Sequence, residues 1–147
     1  MKKTLLLAIA SLLSIAVYAQ KKSDNSQPPE VVKTAFTKKY PAVNKISWNK
    51  EEDGYEAEFT FNGKETSATF TAHGVLIEIE VEIATTELPK TATEYIKANY
   101  ANYKVKEAAK ITDDKNTTTF EAEVSKNGKS MDIIFDANGS FIKVITD

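Results

Sequence analysis

The chain has 147 residues, 41% hydrophobic and 27% charged, which suffices for one domain and is short for two independent ones. Acidic residues outnumber basic ones 21 to 19 and every basic residue is lysine, so there is no arginine fork for phosphates or base edges, and nucleic acid or an anionic membrane is not an expected partner. With no cysteine, the fold must rest on packing rather than disulfides.

Lys2 and Lys3 precede the apolar run Leu5 to Val17, and Val17-Tyr18-Ala19 supplies the small or modest residues that a signal peptidase reads. The run falls short of the roughly 20 apolar residues that span a bilayer. Residues 1–19 are therefore expected to be a removable secretory signal cut before Gln20, giving a periplasmic or secreted product with no membrane insertion. No cysteine follows to carry a lipid. The 19 basic residues less Lys2 and Lys3 leave 17 against 21 acidic, a net charge of -4. Residues 20–28 are polar and read as a flexible leader.

From Pro29 onward, apolar residues fall at Val32, Ala35, Phe36 and Tyr40, the i, i+3, i+4, i+8 spacing of a helix that starts after Pro29 and stops at Pro41. A strand over 45–50 carries Ile46 and Trp48 inward, and Trp48 reads as core rather than as a binding platform. Tyr55, Ala57, Phe59 and Phe61 then alternate with Glu56, Glu58, Thr60 and Asn62, a strand with one buried face and one wet face. Asn62-Gly63 marks a hairpin, since both residues tolerate positive φ. The fourth strand, VLIEIEVEI, is expected to turn Val75, Ile77, Ile79, Val81 and Ile83 inward, leaving Leu76, Glu78, Glu80 and Glu82 on the open face.

The pattern then repeats. Pro89, Ile96 and Tyr100 match Pro29, Phe36 and Tyr40 at a spacing of 60. Phe120 to Glu123, Asn127 to Lys129, Phe135 and Ala137 to Gly139 match Tyr55 to Glu58, Asn62 to Lys64, Phe70 and Ala72 to Gly74 at a spacing of 65. Five residues are thus added between Tyr103 and Phe120, as in a duplicated unit with one insertion. The second copy brings a helix through Ala92, Tyr95, Ile96 and Tyr100, a strand over 104–112 in which Val105, Ala109 and Ile111 share a parity, and a last strand over 140–146.

The hairpin-short links require antiparallel pairing. The expected fold is α+β: two tandem units, 29–86 and 88–147, each a helix and four strands, joined in one eight-stranded antiparallel sheet with both helices on one face, as a single domain over 29–147.

The order Pro29-x-x-Val32-x-x-Ala35-Phe36-x-x-x-Tyr40-Pro41, then Trp48, Tyr55 to Phe59, Asn62 to Lys64 and Gly74, resembles the PepSY-like secreted proteins, whose fold is similar to that of the beta-lactamase inhibitor protein. The resemblance covers nearly all of the chain after the signal. The second copy departs from it, with no Trp and with Ala101 where Pro41 stands. It implies a periplasmic or secreted protein of mostly unassigned function, and raises inhibition of a peptidase or other hydrolase as one activity.

The residues name no reaction. His73 is the single histidine, and its repeat partner Asn138 places it in a turn where φ can be positive. There is no Cys-His or Gly-x-Ser-x-Gly arrangement and no phosphate loop, so no catalytic residue and no cofactor is assigned. The expected function is a non-enzymatic extracytoplasmic binding module whose partner, another envelope or secreted protein, contacts Glu56, Glu58, Leu76, Glu78, Glu80 and Phe141 on the open face. Phe141 aligns with Leu76 in the repeat, and Lys104, Lys106, Lys110 and Lys143 are expected to make the second half of that face mixed in charge. The alternative is an envelope protein that holds a divalent metal or small ligand through the same carboxylates, although glutamates on one strand lie about 7 Å apart. A hydrolase is a third reading with no motif behind it.

Overall fold

The computed structural model describes residues 27–146. The expected signal segment and leader residues 20–26 lie outside them. Pro28, assigned above to the leader, is buried.

The elements run α1 (Glu30–Lys39), β1 (Ser47–Lys50), β2 (Tyr55–Phe61), β3 (Lys64–Phe70), β4 (Leu76–Ile83), α2 (Lys90–Asn99), β5 (Lys104–Asp113), β6 (Thr118–Lys126), β7 (Lys129–Asp136) and β8 (Phe141–Ile145). All eight strands form one antiparallel sheet whose spatial order is the chain order. The duplicated α+β architecture is therefore as the sequence predicts. The inserted residues lengthen β5, which has ten residues where β1 has four.

Each helix covers its own half. Phe36 of α1 is 1% exposed and meets Trp48, Phe59 and Phe70 edge-on at 5.5, 4.9 and 6.4 Å between ring centroids. Val32, Tyr40, Ala57 and Ala68 complete that core. In the second half Ala92 and Ile96 of α2 pack with Ala108, Ala122, Val124, Ile133 and Phe135. Burying one such large side chain contributes about 1.5–3 kcal/mol. The two clusters share no residue.

The helices begin on the turns that join third and fourth strands. Gly74 has φ 78°, and a Cβ there would stand 2.8 Å from the Val31 carbonyl oxygen. Gly139 has φ 84°, and a Cβ there would stand 2.7 Å from Pro89 Cβ. The hydroxyl oxygen of Thr71 accepts the His73 and Val75 N–H groups at 3.3 and 3.2 Å, and Asp136 Oδ1 accepts those of Asn138 and Ser140, both at 2.8 Å. His73 is thus a turn residue, but the positive φ expected of it belongs to Gly74. Among described residues other than glycine, positive φ occurs at Asn62, Asn116 and Asn127. Asn62-Gly63 and Asn127-Gly128 have φ of 51° and 78°, and of 53° and 77°, positive at both central positions as type I′ hairpins require.

Three β-bulges change which side chains share a face. Phe70 pairs with Leu76 and Thr69 with Glu78, leaving Ile77 as the extra residue. Lys106 is extra between the pairs Val105–Val124 and Glu107–Glu123, and Ile142 between Phe135–Phe141 and Ile134–Lys143. One extra residue reverses the facing of everything on one side of it. Leu76 and Phe141, expected on the open face, therefore lie on the helix side. Leu76 packs against the α1 core, and Phe141 stacks on Tyr95 of α2 with ring centroids 4.8 Å apart. Val75, expected inward, precedes the strand and is 58% exposed. Ala109 and Ile111 face away from Val105, onto the open side, while Lys110 pairs with Val81 and Phe120 on the helix side.

Candidate functional site

Residues directly opposite across a ladder share a face. Ala57 and Ala68 lie under α1, so Glu56 and Glu58 point away from it, and the register carries that assignment across the sheet. One row runs Ser47, Glu58, Ser67, Glu80, Ile111, Thr119. The next runs Glu82, Ala109, Glu121, Ile134, Lys143, and beside it Glu107, Glu123, Asp132, Ile145. Glu56 and Glu78 stand in a further row that ends at Asp113.

This face is concave. A trough of about 1210 Å³ crosses from the 42–47 segment and β1 to β6, and its lining includes Glu56, Glu58, Glu65, Glu80, Glu82, Glu107, Glu121 and Glu123. Neither helix covers it, because both pack on the opposite face. Because Lys110 is turned to the helix side, the second half of the open face is more acidic than the sequence suggests. Lys104 and Lys143 remain on it.

Beneath the carboxylates lies a small apolar floor. Ala109 is 6% exposed and Ile134 is 7% exposed, yet neither belongs to a core under a helix. Glu121 stands between them in its row. Burial there, followed by the negative charges of Glu80, Asp132, Glu78 and Glu123, pushes its carboxyl up to about 8. Glu78 is also raised, by burial first and then by Glu56 and Asp113, with Lys143 opposing. Asp113 moves the other way, since its carboxylate accepts the Thr117 and Lys115 N–H groups at 2.7 and 2.9 Å.

Of the six contact residues read from the sequence, Glu56, Glu58, Glu78 and Glu80 share the open face, whereas Leu76 and Phe141 do not. Glu121 and Glu123 lie on the open face, as their match to Glu56 and Glu58 implies, and the structure adds Glu107, Asp132, Ala109 and Ile134 beside them, which alternation alone does not place there. A signal was present: Leu76-Ile77 and Phe141-Ile142 are paired apolar residues at the same repeat position, a break in alternation that marks a bulge. Among the described residues, no three acidic or histidine side chains converge as metal ligands. No described helix is long and apolar enough to cross a membrane.

A family model described as "Putative beta-lactamase-inhibitor-like, PepSY-like" matches the chain twice, over residues 18–77 and 53–143. No curated protein matches it. Among solved structures, a DUF2874 family protein from Bacteroides uniformis is similar with a TM-score of 0.72 and 22% identity, over 82% of this chain and 90% of that one. One from Bacteroides eggerthii, described among "putative periplasmic proteins", has a TM-score of 0.73 and 20% identity over 82% and 89% of the two chains. A BLIP-like protein from Bacteroides fragilis has a TM-score of 0.65 and 24% identity over 82% and 89%. At these identities the likeness is one of fold.

Proposed function

The chain belongs to the PepSY-like, beta-lactamase-inhibitor-like family, and from that premise we propose that it is a non-enzymatic, extracytoplasmic binding module whose open sheet face holds a cationic segment of another protein. The observation that carries this reading is the placement of Glu107, Glu123 and Asp132 in one row, directly opposite one another on three adjacent strands of the concave face. Like charges so placed destabilise a sheet. A solvated face needs polar residues but not this arrangement, and a departure from the usual cross-strand pairing is the kind of feature that functional sites carry.

The partner chemistry follows from the charge. A lysine or arginine side chain can enter the trough and set its charge among Glu80, Glu107 and Glu123. The secretory leader read from residues 1–19, together with the Bacteroides eggerthii neighbour, supports a periplasmic or secreted setting. Inhibition of a hydrolase is the specific form this reading takes if the bound segment borders an active site, and the Bacteroides fragilis neighbour's description as BLIP-like supports it by fold alone.

The test is cross-linking of the mature chain in an extract of its own cell envelope, with wild type, a Glu80→Lys/Glu123→Lys variant, and a Lys38→Glu variant on α1 as control. The expected result is a partner lost with the open-face variant, retained with the control, and weakened by salt. A captured protein indifferent to the open-face charges would overturn the reading.

A further inference from the structure

Among the described residues the sheet does not close, and no described strand pairs with the outer edge of β1 or of β8. The two edges differ. β1 is four residues long, with Lys45 before it and Lys50, Glu51, Glu52 and Asp53 at its end, the charged and short form of a guarded edge. β8 reads Phe-Ile-Lys-Val-Ile with no proline and a single charge, and it exposes Phe141 at 41%, Ile142 at 48% and Ile145 at 40%. Its bulge at Ile142 guards only its first half.

We propose that β8 pairs antiparallel with β8 of a second copy of this chain, joining the two sheets edge to edge around a two-fold axis normal to the sheet. This inference does not rest on the proposed binding function. Such an axis keeps each copy's helices on one side, so paired residues must share a face. Centring the pair on Lys143 fails, because it opposes two ammonium groups and sets Phe141, on the helix side, against Ile145, on the open side. Centring it on Val144 succeeds. Val144 then meets its own copy on the helix side, and Lys143 meets Ile145 of the partner subunit on the open side.

The charges agree with that register. Ile145 stands at the end of the acidic row Glu107, Glu123, Asp132. Each copy's Lys143 would extend the other's row by one strand and set a cation at its end. The ladder is short, so the dimer is reversible rather than obligate.

Sedimentation velocity over a concentration series tests this with the mature chain and two variants at Ile145, an exposed edge position opposite Asp132, with thermal melts reporting the effect on each variant's own fold separately. Wild type is expected to dimerise as concentration rises. Ile145→Lys, which sets Lys against Lys143 of the partner subunit, is expected to weaken the dimer roughly tenfold, whereas Ile145→Glu, which supplies an opposite charge, retains it. A wild-type chain that stays monomeric at every concentration overturns the proposal. So does a dimer weakened equally by both variants, or one indifferent to either, since each removes the register on which the inference stands. Thermal melts of both variants confirm that the monomer remains folded.

Discussion

Glu123 stands directly opposite Asp132 across the β6–β7 ladder, and on its other side directly opposite Glu107 of β5. Three carboxylates in one row on three strands repel at the closest side-chain spacing that a sheet offers, about 4.5–5.5 Å between Cβ atoms. The core under α2 does not require them, since its residues on the same strands, Ala108, Ala122, Val124, Ile133 and Phe135, point the other way.

Glu123→Lys should therefore stabilise the chain, by about 0.5–1 kcal/mol in urea titration. The same change should weaken capture of a cationic partner. A variant that is less stable at low salt would show that Glu123 is held by interactions outweighing this repulsion.

The Glu121 carboxyl gives the fold a pH dependence of defined sign. Its folded value near 8 lies above the ordinary 4.5, so between those limits the folded chain keeps a proton that the unfolded chain has released. Stability from this group is full below pH 4.5, falls as pH rises to about 8, and is level above that. Glu121→Gln should accordingly raise stability at pH 9, by an amount on the order of 1–3 kcal/mol once solvent screening is allowed for, and change it little at pH 4.5. Urea titrations at the two pH values check the difference.

Gly139→Ala and Gly128→Ala should separate two costs that glycine conceals. Both positions have positive φ, at 84° and 77°, but a Cβ on Gly128 meets nothing within 4 Å while one on Gly139 collides with the start of α2. The hairpin substitution should cost about 1 kcal/mol, and the turn substitution about 3 kcal/mol or more, because helix and turn must part. Thermal melting of the pair measures the gap.

Phe36→Ala should cost about 3–5 kcal/mol and Ile96→Ala about 2–5 kcal/mol, each opening a cavity in a different core. Since the two clusters share no residue, the double variant should lose the sum. Emission from Trp48, the single tryptophan, reports the first core, so its transition compared with that from far-ultraviolet circular dichroism shows whether the halves melt together.

The parts of the fold legible in the sequence are the ones encoded locally. Apolar spacing through Val32, Phe36 and Tyr40 marks a helix, Asn62-Gly63 marks a hairpin, and repetition at a spacing of 65 carries both to the second half. Facing is different, because strand alternation is read by counting and a bulge adds one to the count. Counting alone puts Leu76 and Phe141 on the wrong side for that reason, and Lys110, Ala109 and Ile111 likewise. The acidic centre was hidden for a second reason: the recurrence of Glu56-x-Glu58 as Glu121-x-Glu123 looks like a wet strand face until the neighbouring Glu107 and Asp132 are set beside it. Which strands adjoin could be inferred from hairpins, but which residues stand opposite depends on register.

Because every strand is bonded to its neighbour in sequence, the sheet is expected to assemble by zipping rather than by search. Each new ladder closes only a turn or, between β4 and β5, one helix, so little loop entropy is lost before a contact forms. An all-antiparallel sheet of this size would fold slowly if its partners lay far apart along the chain; this one should fold toward the fast end for its class, and could add strands in order as the chain is released from its N-terminal end.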